Sequence, residues 1–379
     1  MASGDALADD LLAAGLRGPC CWPPEADPGR VVSRALFHGV AGLLAGRLSG
    51  WPPEATAALR RTALAQSMWE MRHGRVLADL LAALDAAGVR VLLLKGTALA
   101  YDLYDPPAQR PRGDSDLLVP PENLDAARAV LEAQGFAHYY DDPSAEDGTR
   151  LQEAWRRTTP DGLPHEIDLH WRTLNARALM HLFPFDAAWA RARPLPRLAP
   201  QARGLPLDLA LLLACAHRAQ HLVNPYFANG RAYHEGDRLI WLRNIDLIAR
   251  ALDAEGWAAF EAATLEGGLA PVALEGLRSA AARLGTPLPE ATTARLATAP
   301  RDTPAARYLL GAAQAGRALR DLRAVPGLGG KARYLWRRVL PPASFLRMKY
   351  PELAGRPVPL LHMKRIMDFP KPRRTRGAE

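Results

Sequence analysis

The chain has 379 residues, of which 49% are hydrophobic and 23% are charged, and its formal net charge is +8. A chain of this length and apolar content buries one or two substantial cores, and the length favours two or three domains. No apolar run reaches the roughly eighteen residues that cross a bilayer, and the start MASGDALADDLL lacks the basic and hydrophobic segments of a secretion signal, so we expect a cytoplasmic protein without a transmembrane segment.

Helices are predicted for the first part of the chain, residues 1–87. The proline-rich stretches GPCCWPPEADPG and SGWPPE separate them, because proline and glycine interrupt helical periodicity. This part is interpreted as an N-terminal helical lead-in. The predicted helices cover residues 6–16, 30–48 and 54–87.

A small mixed α/β core is predicted over residues 88–185, with helices after its first and second strands. Its predicted strands cover residues 89–94, 115–119, 136–140, 151–158 and 165–172. Residues 186–330 are predicted to form a helical domain, and residues 331–379 a basic C-terminal segment that is partly disordered. The helices predicted beyond the core cover residues 186–191, 207–222, 238–252, 257–265, 270–284 and 304–322. The predicted fold class is therefore α+β, a small mixed-sheet core with N-terminal helices and a large C-terminal helical region.

A strand followed by a helix start is predicted for VLLLKGTALA, which places Lys95, Gly96 and Thr97 at the turn. A helix start attracts phosphate through its free N–H groups and its dipole, and glycine lets the phosphate approach the main chain. Lys95 would add a positive charge and Thr97 a hydroxyl. Taken alone, such a turn is common in α/β proteins merely to reverse the chain.

Two carboxylates one residue apart, Asp114 and Asp116 of RPRGDSDLLV, are followed by a third, Asp168 of HEIDLHW. Side chains alternate along a strand, so the first two share one face, and Asp168 shares its face with Glu166 and His170. If the two strands pair, the carboxylates lie about 5 Å apart and take up protons unless cations neutralise them. The cluster therefore predicts a divalent-cation site, and ligands of this kind favour Mg²⁺ or Mn²⁺.

Each of these residues also has a plainer interpretation. Asp114 and Asp116 could be turn residues after Gly113, and Asp168 a satisfied carboxylate at a strand edge. Only the joint pattern, in order and on consistent strand faces, favours the cation site.

The stretch LLLKGTALAYDLYDPPAQRPRGDSDLLV, followed by EIDLHW, resembles the uncharacterised nucleotidyltransferase family of the DNA polymerase beta-like superfamily. The hallmark of that superfamily is a glycine-serine turn, a D-x-D strand and a third carboxylate. Gly96 and Thr97 match the turn, with threonine in place of serine. Asp114 and Asp116 match the acidic pair, and Asp168 matches the third carboxylate. The resemblance implies that the α/β core is a nucleotidyltransferase core.

The resemblance is strong over residues 89–171 and looser over LLLACAHRAQHL and LIWLRNIDLIAR, and little matches at the two ends. Arg110 matches the arginine that family members usually carry before the acidic pair, which implies a phosphate-binding or site-ordering role. Arg112 could contact a triphosphate as well, or pair with a carboxylate.

The function that these patterns predict is metal-dependent transfer of a nucleoside monophosphate from a nucleoside triphosphate to an acceptor hydroxyl, with release of pyrophosphate. One cation would be bound by Asp114, Asp116 and the β- and γ-phosphates, and another, also touching Asp168, would lower the pKa of the acceptor hydroxyl. The sequence does not choose between ATP and the other triphosphates, or among protein, peptide, small-molecule and RNA acceptors.

Four histidine and aspartate residues are candidates for a substrate pocket. His170 shares the face of Asp168 and is predicted at the rim of the site. His217 and His221 lie four residues apart on one helix face, without the Glu or the paired cysteines that a zinc site requires. With Asp246, they are predicted to line an acceptor or base pocket.

The basic character of the chain is concentrated at its end. From Lys331 onward there are thirteen basic and three acidic residues, a balance of +10, so the preceding residues sum to −2. This segment predicts contact with an acidic partner such as nucleic acid, an acidic protein or anionic lipid, and is also typical of a solvated end. Three other functions remain open: a kinase, disfavoured because no G-x-x-x-x-G-K-[ST] loop is present, a noncatalytic nucleotide-binding or regulatory protein, and a nucleic-acid-binding protein.

Overall fold

The structure is a computed structural model in which a seven-stranded mixed sheet packs between helices. The predicted α+β fold class is confirmed. The residues that the structure describes are 2–47, 49–138, 151–174, 176–223, 226–228, 231–233, 236–311, 314–341 and 343–367.

Among the residues that the structure describes, four helices precede the sheet. They are α1 (Ala2–Arg17), α2 (Pro28–His38), α3 (Ala41–Leu44) and α4 (Pro53–Ala86). Helix α2 begins where the Asp27 side chain accepts a hydrogen bond from the N–H of Arg30, and it ends at Gly39, whose φ of 69° lies in the region that favours glycine. The single helix predicted over residues 30–48 is therefore wrong beyond His38, because Gly39 turns the chain before α3.

The sheet has the strand order β3-β4-β5-β2-β1-β7-β6. Its strands are β1 (Leu92–Leu93), β2 (Asp114–Leu118), β3 (Ala137–His138), β4 (Gln152–Thr158), β5 (Pro164–His170), β6 (Arg193–Pro194) and β7 (Arg203–Gly204). The pairs β2–β5 and β1–β7 are parallel and the others are antiparallel. The helices that follow β1 and β2, and the one before β6, are α5 (Lys95–Asp102), α6 (Leu124–Ala133) and α7 (Phe185–Ala190).

Two of the predicted strands are shorter in the structure. The strand predicted over residues 89–94 is reduced to Leu92–Leu93, and of the one predicted over residues 136–140 only Ala137–His138 is a strand, with residues 139 and 140 outside the described residues. The short strands β6 and β7 are not predicted by the sequence, because two-residue segments carry no alternating pattern.

The rest of the chain is mainly helical. Its helices and strands are α8 (Leu207–Val223), β8 (Tyr226–Ala228), β9 (Arg231–Tyr233), α9 (Leu239–Ala251), α10 (Ala254–Glu266), α11 (Ala270–Leu284), α12 (Glu290–Thr298), α13 (Pro304–Ala306), α14 (Gln314–Ala324), α15 (Leu328–Val339), α16 (Ala343–Lys349) and α17 (Val358–Met367). The helix predicted over residues 304–322 is wrong as a single element, because a π-helical turn, Arg307–Gly311, follows α13. Within the described residues, no helix combines the length and the apolar composition needed to cross a membrane.

Alternate residues of the central strands serve two hydrophobic cores. Leu117 of β2 and Ile167 of β5 pack with Leu77 and Leu80 of α4 on one face of the sheet. Leu118 belongs to the other core, which the N-terminal helices share with α8, α9 and α11. The side chains of β2 that alternate with Leu117 therefore lie on the face that looks toward the helical region. The division into four domains stays a prediction.

Candidate functional site

The parallel pairing of β2 with β5 brings the predicted carboxylates together. The register places Asp116 opposite Asp168, and Asp114 opposite Glu166. One ligand atom from each of Asp116, Asp168 and His170 lies within 4.8 Å of the others. The strands thus collect several potential metal-ligand atoms on one face of the sheet.

Burial and mutual repulsion disfavour the ionised form of two carboxylates in this cluster. Burial, followed by repulsion from Asp116, raises the pKa of Asp114 to about 6. Burial, followed by repulsion from Asp114 and Asp116, raises the pKa of Asp168 well above its usual value. A bound cation would favour the ionised form of both groups.

Asp116 is the exception, because it already has two partners. Its Oδ1 accepts a hydrogen bond from the Lys95 ammonium and lies 2.8 Å from Nε2 of His170. Burial alone would raise the pKa of Asp116, but these two groups hold it below its usual value. Lys95 adopts a φ of 49°, an uncommon left-handed conformation for a residue with a side chain. The backbone at the start of α5 therefore directs its ammonium to the acidic strand.

His170 is fully buried, so the prediction that it lies at the rim of the site is wrong. Burial, followed by the Lys95 charge, lowers its pKa, which favours the neutral ring. Its contact with Oδ1 of Asp116 fixes the orientation of that carboxylate. Sequence reasoning also missed Gln152 on β4, which donates a hydrogen bond of 3.1 Å to Oδ2 of Asp168. His170 therefore holds Asp116 in place, and Gln152 holds Asp168.

Gly96 lies at the start of α5 directly beneath an arginine. A Cβ atom at this position would lie 3.1 Å from the guanidinium carbon of Arg110, so the glycine lets that side chain approach the helix. Arg110 is buried, and its Nε donates a hydrogen bond of 3.0 Å to Oδ1 of Asn244 in α9. Tyr104 donates to the same oxygen, which fixes the arginine in place. Asn244 was missed, although it is a polar residue within the apolar run LIWLRNIDLIAR.

Arg112 has a different environment from Arg110. Its guanidinium donates two hydrogen bonds, of 2.7 and 2.8 Å, to the buried carboxylate of Glu70 in α4. Tyr101 donates a third to the same carboxylate at 2.6 Å. Of the two arginines before the acidic pair, Arg112 therefore joins the sheet to α4, and Arg110 faces the helical region.

A buried polar network supports β2 from its other face. The Thr97 hydroxyl donates to Oγ of Ser115 at 3.0 Å, and Nε2 of His73 lies 2.7 Å from the same oxygen. The other ring nitrogen of His73 is 3.1 Å from Nδ1 of His165. Since Ser115 alternates with Asp114 and Asp116, the Thr97 hydroxyl is committed to the face opposite the carboxylates.

Replacing Ser115 with alanine should destabilise the protein. The substitution removes the shared partner of His73 and Thr97, and unsatisfied buried polar groups cost about 1–3 kcal/mol. Urea denaturation measures the free energy of unfolding. Ser67→Ala is the control, because Ser67 only donates to the carbonyl of Ala63 in its own helix. An equal free energy of unfolding for the two variants would show that the network contributes nothing.

A cavity lies between the start of α5 and helices α8 and α9. About 580 Å³ of it is not filled by atoms, counting space that is open to solvent, and about 30 Å³ of this space admits the centre of a water molecule. Lys95, Arg110, Asn244, His217 and Trp241 contribute polar or aromatic groups to its wall, and the remaining wall is mostly aliphatic. The cavity therefore adjoins the residues that contact the acidic strand.

The three pocket residues predicted in the helical region occupy different places. His217 lines the cavity. His221 stacks on Trp241 with ring centroids 5.4 Å apart, and burial lowers its pKa to about 4. Asp246 is fully buried and accepts hydrogen bonds from Arg243, Arg250 and Thr286. Both of its oxygens bind partners within the helical region. Asp246 does not line the cavity.

Comparison with known proteins points to one family. The model of a family described as "uncharacterised nucleotidyltransferase" matches residues 24–285, which is more than half of the chain. The matched part includes the sheet, the acidic cluster and helices α8 to α11. No curated protein matches the chain.

Proposed function

We propose, on the premise that this chain belongs to the uncharacterised nucleotidyltransferase family, that it transfers a nucleoside monophosphate from a triphosphate to an acceptor hydroxyl and releases pyrophosphate. Divalent cations would be held by Asp114, Asp116 and Asp168. The observation that carries this proposal is the β2–β5 register, which sets Asp116 opposite Asp168 on the face that also bears Asp114.

The residues present suit a hard divalent cation. Carboxylate oxygens are the ligands that Mg²⁺ and Mn²⁺ prefer, and Mg²⁺ sites at phosphates use one or two carboxylates. Burial and repulsion between the aspartates raise the pKa values of Asp114 and Asp168, so a bound cation would favour their ionised forms. His170 would orient Asp116 rather than bind the cation, because its Nε2 contacts Oδ1 of that carboxylate. Such bonds from outside the ligand set commonly orient metal ligands.

Lys95, Gly96 and Arg110 are assigned to the triphosphate. A helix start has N–H groups without partners inside the helix, and the ammonium of Lys95 and the guanidinium of Arg110 place two positive charges beside the start of α5. Arg110 is held by Asn244, so its charge is positioned before substrate arrives. Positioned charge of this kind stabilises a phosphoryl-type transition state because it needs no reorganisation during the reaction.

Divalent cations bound at the carboxylates would neutralise charge on the phosphates and lower the pKa of the acceptor hydroxyl. The protein's own part is to fix the carboxylates through Gln152 and His170. We assign the cavity beside Lys95 to the base or the acceptor, with His217 and Trp241 in its wall. His221, which stacks on Trp241, would orient that ring.

The test is transfer of labelled phosphate. The purified protein is incubated with Mg²⁺, a cell lysate and each of ATP, CTP, GTP and UTP, labelled either on the α- or on the γ-phosphate. Nucleotidyl transfer attaches the α-label to the acceptor and releases the γ-label as pyrophosphate. A kinase would attach only the γ-label, and a noncatalytic nucleotide-binding protein would attach neither while still retaining the triphosphate.

A further inference from the structure

Helix α15 presents an exposed apolar stripe. Leu328 is 86% exposed, Trp336 66%, Val339 65% and Leu335 48%. Leu335, Trp336 and Val339 follow Leu328 by seven, eight and eleven positions, so the four residues lie on one side of the helix. An apolar stripe normally faces a core, whereas this one faces solvent.

Cations flank this stripe on both sides. At 3.6 residues per turn, Lys331 and Arg338 lie along one edge and Arg333 lies toward the other, whereas Arg337 is on the opposite side of the helix. The helix LGGKARYLWRRV contains no carboxylate. The exposed face of α15 is therefore apolar at its centre and positive at its margins.

Helix α17 carries a second exposed apolar stripe. Arg365 donates hydrogen bonds of 2.6 and 2.7 Å to the carbonyls of Arg338 and Val339, which holds α17 beside the end of α15. Ile366 and Met367 lie three and four positions after Met363, so the three side chains share one side of the helix. Each is more than half exposed. We name the two apolar stripes and their flanking cations the C-terminal surface.

We propose that the C-terminal surface docks the protein on an anionic lipid bilayer. Helices that lie in a membrane interface combine Lys and Arg with an apolar face containing Trp or Leu, and juxtamembrane cations are attracted to anionic headgroups. The residues from Lys331 onward sum to +10 and the preceding residues to −2, so the charge of this part of the chain is complementary to such a bilayer. Nucleic acid would use the cations but leave the aliphatic stripes in water.

The docking surface is independent of the nucleotide site. It lies outside residues 24–285, which the family model matches, and shares no side chain with the acidic cluster. The two proposals can therefore fail separately.

Co-sedimentation of the full chain with vesicles tests this proposal. We expect binding to vesicles that contain phosphatidylglycerol and little binding to pure phosphatidylcholine. The triple variant Leu335→Ser, Trp336→Ser and Val339→Ser should weaken binding about tenfold or more, because it removes most of one apolar stripe. Replacing Arg333 and Arg338 with glutamine should weaken it by about fivefold for each cation lost.

The matched control removes three exposed apolar side chains elsewhere. Leu64, Met68 and Met71 form an exposed stripe on α4, and their triple replacement with serine should leave vesicle binding unchanged. The proposal is overturned if the chain does not sediment with phosphatidylglycerol, if the α15 triple variant binds as well as the wild type, or if the α4 control loses as much. The chain could instead bind poly-L-glutamate and not vesicles. If the α15 triple variant then lost that binding, the proposal would be overturned in favour of an acidic protein partner. Circular dichroism of each variant establishes that it is folded.

Discussion

Replacing Asp116 with asparagine should abolish nucleotide transfer and leave the protein folded. The amide side chain would keep an oxygen that accepts hydrogen bonds from Lys95 and His170, so the local geometry survives. It would lose the negative charge at the centre of the acidic face. Groups that act directly on transition-state charge contribute about 10²- to 10³-fold or more to the rate. Initial rates of α-label transfer measure the loss, and urea denaturation measures the fold.

The control for this variant is Asp125→Asn. Asp125 lies in the first turn of α6 with its side chain 93% exposed, and it pairs only at the surface with Arg128. The rate of that variant should be close to the wild-type rate. Near-wild-type transfer by Asp116→Asn would remove Asp116 from the mechanism.

Replacing Lys95 with methionine should destabilise the protein most when divalent cations are absent. The side chain of Asp116 is only 8% exposed, and Lys95 forms its ion pair. Breaking a buried pair by removing one partner costs about 3–5 kcal/mol, and we expect the lower end because Lys95 is itself 22% exposed. Mg²⁺ should restore part of this loss, because it supplies positive charge to the same carboxylates. Urea denaturation with Mg²⁺ and with EDTA measures both effects.

Lys331→Met is the control for lost lysine charge, because Lys331 belongs to α15 and lies outside the acidic cluster. Its free energy of unfolding should change by less than about 0.5 kcal/mol and should not respond to Mg²⁺ differently from the wild type. If Mg²⁺ stabilises Lys95→Met no more than the wild type, the cation does not share carboxylates with Lys95.

The acidic face is readable from the sequence because strand periodicity is strict. Once Asp114 and Asp116 are assigned to one strand, they must lie on the same face of it, and Glu166 and Asp168 must likewise lie on the same face of theirs. The pairing of β2 with β5 depends on contacts between segments that are distant in the chain. The sequence does not predict this pairing, and the metal-site hypothesis assumes it. The structure satisfies that condition, with Asp116 opposite Asp168. Whether these residues bind metal or nucleotide stays a prediction.

The burial of a side chain and the identity of its hydrogen-bond partners cannot be predicted from this sequence. The pattern predicts His170 at the rim, because a single sequence does not show that the helical region covers this face of β5. It predicts phosphate as the partner of the Thr97 hydroxyl, whereas in the structure that hydroxyl donates a hydrogen bond to Ser115. Arg110 and Arg112 are two residues apart, but one bonds a residue of α9 and the other a residue of α4. These outcomes depend on tertiary packing rather than on local pattern.

Predicted helix boundaries fail where local geometry overrides composition. The residues on both sides of Gly39 favour helix, but its left-handed conformation ends α2. After α13, residues 307–311 wind as a π-helix, a form that has no signature in the spacing of apolar residues. The long helix α4, by contrast, begins and ends within one residue of its prediction because its apolar pattern is continuous.

Calorimetric titration of the four triphosphates, in Mg²⁺ and in EDTA, tests the central claim most directly. If Asp114, Asp116 and Asp168 hold the cation that binds the phosphates, the affinity for at least one triphosphate should rise about tenfold or more with Mg²⁺. Asp116→Asn should lose that gain while Asp125→Asn retains it. Equal affinities in Mg²⁺ and EDTA, or an undiminished gain in Asp116→Asn, would contradict the account.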